Sequence, residues 1–285
     1  MARPLDDTPG GLPPATAAAG AVTFRFADAL PREGERRVAA EVPVQVLFGG
    51  VPFGIMMATP ADLEDFAFGF SLTEGVIAHP DEIRAVRVEP AEGAVRLAVD
   101  VSGARLQAHL ARKRAMTGRT SCGLCGVDDL AALPRASGPS GEAPRVALGA
   151  IQRALGALDA GQHLNAETRA VHGAAWATLG GELLDVREDV GRHNALDKLI
   201  GACLRAGRDP ASGFVVVTSR ASFEMVEKAA TFGCRTLVAI SAPTALAIER
   251  ARALDVTLAG IARADSVTVF HGADRVLADA APAAP

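Results

Sequence analysis

The sequence predicts an α/β protein in two parts, a mixed α+β N-terminal region followed by a C-terminal α/β domain. Three observations carry this. Between residues 171 and 260, short apolar runs alternate with amphipathic helical stretches, the order that builds a partly parallel sheet with right-handed crossovers. Earlier in the chain, apolar residues alternate singly and the runs break at glycines, as in hairpins. Between the two lies "PRASGPSGEAP", Pro134 to Pro144, which has linker composition.

Taken in order, residues 1–20 are rich in Pro, Gly, Ala and Thr, have little to bury, and are expected to be a disordered tail; residues 278–285 read the same way. The N-terminal region spans 21–133. Residues 36–48 alternate and end at Gly49-Gly50, a hairpin turn leading into a second strand from Val51 to Ala58. Thr59-Pro60 is expected to open a helix, with a hydroxyl N-cap, proline at the first helical position and carboxylates in the first turn. Leu63, Phe66, Ala67 and Phe70 give that helix its core-facing stripe. Residues 84–101 read as another hairpin.

A linker at 134–145 leads to the C-terminal domain, 146–277. Here the expected order is a strand at 171–179, a turn at Gly180-Gly181, a strand at 182–188 and a helix at 193–206. Leu196, Leu199, Ile200, Cys203 and Leu204 share one side of that helix. Then come a strand at 214–218, a helix at 222–232, a strand at 235–240, a helix at 244–254 and a strand near 256–260.

Composition narrows the function. The 285 residues are 49% hydrophobic and 22% charged, ordinary for a globular protein, and the net charge of −4 provides no basic field to attract nucleic acid or anionic lipid. Four cysteines, two of them isolated in apolar contexts, make no disulfide framework and point to a reducing compartment. No apolar run approaches the roughly 20 residues that span a bilayer. Arg3 is followed by Pro4, Asp6 and Asp7 rather than an apolar run, so no signal peptide is expected. The expectation is a cytoplasmic protein with neither membrane nor nucleic acid as partner.

Three polar stretches fall just after strands and just before helices: 188–194 (EDVGRHN), 219–222 (SRAS) and 241–244 (SAPT). In open α/β sheets ligands bind beyond the carboxyl ends of strands, where helix N-termini offer free amides to anions. The three loops therefore suggest a site for a phosphate-bearing ligand, with Asp189, Gly191, His193, Arg220, Ser222, Lys228 and Ser241 as candidate contacts. Plainer roles compete: Lys228 can pair with Glu224 along its helix, Asp189 with Arg192, and His193 can cap its helix.

The other candidate is "TSCGLCG", residues 120–126, whose thiols are Cys122 and Cys125. A structural zinc site wants four ligands, yet Cys203 and Cys234 lie far apart in the chain and neither His172 nor His193 shows paired spacing; a zinc knuckle remains an alternative. A dithiol redox motif usually opens a helix, which Gly123 and Gly126 both oppose. A third reading is nucleophilic sulfur: a thiolate takes the terminal sulfur of a donor persulfide and its neighbour relays or expels it. Arg112, Lys113, Arg114 and Arg119 would favour thiolate, although such a run also reads as a solvated face.

Several segments occur in order along the chain: TPADLEDFAFGFSLTEG, SCGLCG, VHGAAW, EDVGRHNALDKLIG, SRASFEMVEKAATFG, SAPTALAIERA and VTLAGIAR. With these, the chain resembles the formate dehydrogenase accessory sulfurtransferase family (FdhD) over roughly residues 36–276. The resemblance implies a C-terminal domain of cytidine-deaminase-like fold without the catalytic zinc, in a homodimer, with no metal ligands of its own. It implies a sulfurtransferase that accepts persulfide sulfur from a cysteine desulfurase and passes it to the molybdenum (or tungsten) bis-guanine-dinucleotide cofactor, Mo-bis(molybdopterin guanine dinucleotide). Formate dehydrogenase is the recipient, and a guanine nucleotide such as GDP is expected to fit the same site. By position, Cys122 matches the persulfide-bearing cysteine and Cys125 its partner. Ile261, Ala262, Arg263, Ala264, Asp265 and Ser266 match the cofactor-binding segment. The alternatives are a cofactor-binding chaperone that moves no sulfur, and a zinc-knuckle module. The family pattern has glycine where this chain has Ser219 and Arg169, and phenylalanine where it has Ile261.

Overall fold

The computed structural model of the chain describes residues 11–107, 136, 138–139 and 141–278. It has a mixed α/β architecture. The N-terminal part opens with an antiparallel ribbon of β1 (Thr16–Phe24) and β2 (Pro31–Ala39). Chain up to residue 20 was expected to be disordered; instead it is extended from Thr16, because a ladder needs backbone partners rather than buried side chains. Next come β3 (Val42–Phe48), β4 (Val51–Ala58), helix α1 (Leu63–Thr73), β5 (Ile83–Ala91) and β6 (Ala94–Val101). They form a four-stranded sheet in the order β4-β3-β6-β5, in which β3 and β6 are parallel. Gly49 and Gly50, at φ 54° and 80°, make the β3–β4 turn in the left-handed region that glycine enters at no steric cost. Val42, Val44, Val46 and Phe48 alternate inward along β3 and join the Phe66 and Phe70 stripe of α1 in one core.

The helix does not start where Thr59-Pro60 suggests. Its N-cap is Asp62, in the left-handed region at φ 53° and without a side-chain cap. Thr59 is fully buried and already committed elsewhere: its hydroxyl accepts from Val190 N at 3.2 Å and its amide donates to Asp189 Oδ2 at 3.0 Å. A capping hydroxyl was legible; a competing partner from 130 residues away was not.

The C-terminal part contains β7 (Val146–Ala147), α2 (Leu148–Gly161), α3 (His163–Thr168), β8 (His172–Thr178), β9 (Leu183–Asp189) and α4 (Arg192–Arg205). There follow β10 (Gly213–Val217), α5 (Phe223–Phe232), β11 (Thr236–Ala239), α6 (Ala245–Ala253), β12 (Thr257–Gly260), β13 (Thr268–His271) and β14 (Val276–Leu277). Six strands form one sheet, β13-β12-β11-β10-β8-β9, with β10, β11 and β12 parallel and the flanking strands antiparallel. The strand–helix order from β8 to β12 agrees with the sequence reading. Helices α2 and α3 and strand β13 were not anticipated, although Ile151, Ala154 and Leu158 mark the buried side of α2.

Helices α4, α5 and α6 cover one sheet face and share a core with α1 and the four-stranded sheet; α2 covers the other face. The α1–α4 contact is backbone against backbone. A Cβ on Gly69 would lie 1.8 Å from the Asp197 carbonyl oxygen, and one on Gly201 would lie 1.8 Å from that of Asp65. No larger residue fits at either place without separating the helices. Among the described residues no helix is long and apolar enough to cross a membrane.

Candidate functional site: one rim of the six-stranded sheet

Because β8 and β9 run antiparallel and β10 to β12 run parallel, one edge of the sheet gathers the start of β8 and the ends of β9 to β12. His172 stands opposite Asp189 in register, and Thr218 N donates to Gly173 O at 3.0 Å. The loops are tied to one another: Thr244 N donates to Ala221 O at 3.0 Å, Ile261 N to Ser241 O at 3.1 Å, and Ile240 N to Val217 O at 2.9 Å. Gly260 lies so close to the next loop that a Cβ there would approach Pro243 Cδ to 2.9 Å. The structure thus brings Gly191, His193, Arg220, Ser222, Ser241 and the segment Ile261 to Ser266 to one rim.

The rim has anion-binding character. Helices α4 and α5 begin there with N-caps Gly191 and Ser222, neither making a side-chain cap bond, so both N-termini lie at the rim without a capping side chain. Among the described residues Arg192 Nε is buried with no hydrogen-bond partner, and His193 Nε2 and Ser222 Oγ lie buried beside the Glu224 carboxylate, which both help to hold in its charged form. A buried donor left unpaired is costly, and a bound anion with oxygen acceptors would satisfy it. His193 Nε2 stands 3.8 Å from Glu224 Oε2, an ion contact rather than a hydrogen bond. That neighbour is the main cause holding the Glu224 carboxyl down to about 2. Burial, then the Arg192 guanidinium, holds His172 below its ordinary value, so its ring stays neutral near pH 7.

The 261–266 segment turns tightly, with Arg263 N donating to Ser266 O at 2.7 Å and Ser266 Oγ to Asp265 Oδ1 at 3.1 Å. Arg263 Nη1 donates to Ala262 O at 2.9 Å, and Ala264 O accepts from Gln152 Nε2 at 3.1 Å. Ala262 is buried, while Ile261 and residues 263–266 are exposed. Ile261 sits at φ 51°, where a β-branched residue is strained, and its side chain is exposed at the rim. Such strain persists where surrounding structure imposes it, commonly at binding sites.

Two of the expected contacts do not reach the rim. The side chain of Asp189 is wholly buried and pairs with the equally buried Lys198 at 2.7 Å. Its carboxylate also accepts from Thr59 N at 3.0 Å, Gly191 N at 2.7 Å and Asn194 Nδ2 at 3.0 Å. Lys198 Nζ donates in addition to Thr59 O at 2.9 Å, and Asn194 Nδ2 to Met57 O at 2.8 Å. Lys228 is spent in a second buried pair, with Asp197 at 2.8 Å rather than with Glu224, and beside Thr73 Oγ1 at 2.9 Å. Burial pushes the Asp197 carboxyl up against the pull of that ammonium; for Lys228, Asp197 and Glu74 outweigh burial and hold its value high. Both are interior clamps, joining the β4–α1 segment to α4 and α5 and fixing the N-terminus of α4, where Arg192 and His193 stand.

Arg192 and Glu224 belong to the rim, and no sequence signal singled them out: Arg192 lies inside a motif already noticed, while Glu224 meets His193 only because α4 and α5 start side by side. Cys122 and Cys125 lie outside the described residues. The chain is described again at Ala136, whose N donates to Glu227 Oε2 at 2.5 Å and whose O accepts from Arg250 Nη2 at 3.1 Å. The expected linker is therefore anchored on α5 and α6 at that point. Arg169, standing where the family pattern has glycine, adopts φ 55° at the C-cap of α3, the left-handed position glycine favours.

Residues 39–277 match the model of the FdhD/NarQ family. The "Sulfur carrier protein FdhD" of Xanthomonas campestris pv. campestris (strain B100) is 49% identical over 239 residues, covering 84% of this chain and 85% of the relative. That of Agrobacterium fabrum (strain C58 / ATCC 33970) is 48% identical over 248 residues, 87% of this chain and 92% of the relative. A crystal structure described as a formate dehydrogenase accessory protein from Desulfotalea psychrophila superposes with a TM-score of 0.72 at 24% identity, over 93% of this chain and 100% of that one, and shows the shared fold. On these matches, the chain belongs to the FdhD/NarQ family.

Proposed function

We propose that this chain is a sulfurtransferase that serves formate dehydrogenase by carrying sulfur on Cys122 to a dinucleotide cofactor held at the rim. The observation that carries the reading is the cluster of Arg192 Nε, which has no hydrogen-bond partner, with His193 Nε2 and Ser222 Oγ beside two helix N-termini. These donors fit the phosphates of a bis-guanine-dinucleotide, or of a guanine nucleotide such as GDP. In this reading the exposed 261–266 segment lines the same site, together with Arg220 and Ser241, and the six-stranded domain is a deaminase-like scaffold used without catalytic zinc.

The chemistry balances as two exchanges. The Cys122 thiolate attacks the terminal sulfur of a persulfide on a cysteine desulfurase, forming a Cys122 persulfide and releasing the donor thiolate. The Cys125 thiolate then attacks Cys122 Sγ, forming a disulfide and releasing the terminal sulfur as sulfide to the molybdenum or tungsten; a thiol reductant must later reopen that disulfide. The eleven chain steps from Cys125 to the anchored Ala136 span at most about 36–40 Å. Glu227, which holds Ala136, lies only about 8 Å along α5 from Ser222. The protein works in this reading as a cytoplasmic homodimer.

The test is mass spectrometry of the intact protein after incubation with a cysteine desulfurase and cysteine. The expected result is a sulfur adduct on Cys122. A Cys122→Ala variant that still supports an active formate dehydrogenase would favour a cofactor-binding chaperone, and stoichiometric zinc lost on Cys125→Ala would favour a zinc knuckle.

A further inference from the structure

The edge of the six-stranded sheet opposite the rim holds a second cluster of cations, and we infer that it binds a tetrahedral oxyanion of the phosphate class. The sulfur-transfer reading makes no use of it. Strands β11 and β12 start at this edge, and Arg235, just before β11, is buried. Its Nη1 donates to Gly141 O and to Pro139 O, the latter at 3.3 Å, and its Nη2 to Asp255 Oδ2. Arg275, beyond β13, donates to the other oxygen of the same carboxylate at 2.7 Å and to Asp255 O at 3.0 Å. His271 Nε2 lies 3.6 Å from Asp255 Oδ1 and 3.4 Å from Arg275 Nη2. One carboxylate thus answers two guanidinium groups, and among the described residues neither has another ion partner.

That carboxylate does not complete the cluster. Three buried polar atoms here have no hydrogen-bond partner: Arg235 Nε, Thr236 Oγ1 and Thr257 Oγ1. Thr236 and Thr257 are opposed in register on parallel strands, so their side chains share one face of the sheet, and both are buried. Gly272, at φ 74°, lets the turn after β13 close on them: a Cβ there would come 2.6 Å from Thr257 Oγ1 and 3.1 Å from Arg275 Nε. Every unmatched atom can donate, and buried donors without acceptors cost free energy. A carboxylate has two oxygens, both spent on the guanidinium groups. A tetrahedral oxyanion brings four, enough for the two arginines and for hydroxyls as well. Asp255 has the character of an occupant that can leave. It stands in the left-handed region at φ 54° in the short turn between α6 and β12, and its side chain is 55% exposed. The anion takes its place between the guanidinium groups, and the carboxylate turns out to water.

Inorganic phosphate is the probe, added to the full chain at constant ionic strength, and its dissociation constant is read from the rise in melting temperature. Asp255→Asn removes the competing carboxylate, and asparagine tolerates the left-handed backbone as aspartate does. Phosphate should bind this variant at least about tenfold more tightly than the parent. In Asp255→Asn/Thr236→Val/Thr257→Val the affinity should fall at least about tenfold below that of Asp255→Asn, since two hydrogen bonds to a charged group are gone. Valine matches the shape of threonine and removes the unpaired hydroxyls. Without phosphate the triple variant should therefore be no less stable than Asp255→Asn, which separates lost binding from a lost fold. None of these positions lies at the rim, so phosphate bound there contributes equally to all three proteins. Acetate at the same ionic strength should not discriminate among them. The inference is overturned by equal phosphate affinity in the parent and Asp255→Asn, or by a triple variant that keeps the affinity of Asp255→Asn. A triple variant less stable than Asp255→Asn, or acetate discriminating as phosphate does, would overturn it as well.

Discussion

Replacing Lys198 by methionine isolates what holds the two parts of the chain together. The substitution keeps the length of the side chain and removes its charge. Asp189 would retain Thr59 N, Gly191 N and Asn194 Nδ2 as donors, but would lose the cation 2.7 Å away in a site with no solvent exposure. Leaving one partner of a buried pair uncompensated costs about 3–5 kcal/mol. At about 2–4 °C per kcal/mol for domains approaching this size, the melting temperature should fall by at least about 6 °C. Thermal unfolding followed by far-UV circular dichroism measures it. The double variant Asp189→Asn/Lys198→Met removes both charges and should recover most of the loss, since neutral replacement of a buried pair is often tolerated. A residual deficit of about 1 kcal/mol is expected because Thr59 O loses the donor 2.9 Å away. A fall of less than about 2 °C for the single variant, or a double variant no more stable than the single, would refute the view that this pair clamps β4–α1 to α4.

Two other outcomes follow from local geometry. Arg169→Gly relieves a left-handed residue at the C-cap of α3 and, net of the greater unfolded-state freedom of glycine, should raise stability by about 0.5–1 kcal/mol, read as the urea midpoint. Burial pushes the Cys203 thiol up to about 12 and the Cys234 thiol up to about 11, and both side chains are inaccessible. At pH 8 their thiolate fractions are on the order of 10⁻⁴ and 10⁻³. Iodoacetamide should therefore spare Cys203 and Cys234 in the native protein and modify all four cysteines in denaturant; ready modification of Cys203 or Cys234 in the native protein would contradict their burial.

The strand–helix order from β8 to β12, the glycine turn after β3 and the aromatic stripe of α1 were legible because each is written in local periodicity or turn chemistry. Helix α2 was harder to see, since Gly149 and Gly156 dilute its pattern and its buried side is recognisable only against the sheet. In the EDVGRHNALDK motif the chemistry-bearing residue types were visible but their division of labour was not. Asp189, Asp197 and Lys198 turn inward as clamps, whereas Arg192 and His193 come to the rim, the first with an unpaired Nε and the second beside Glu224.

The amino-acid sequence by itself determined the family, the α/β order and the presence of a thiol pair, because motifs, hydrophobic period and turn residues act over a few positions. The tertiary structure alone decided which polar residues are scaffold and which are site. Thr59 and Asp189 meet across 130 residues of chain, and Thr73 and Asp197 across 124, so whether a charge is neutralised inside or left for a ligand is set by the packing of helices that no local pattern specifies.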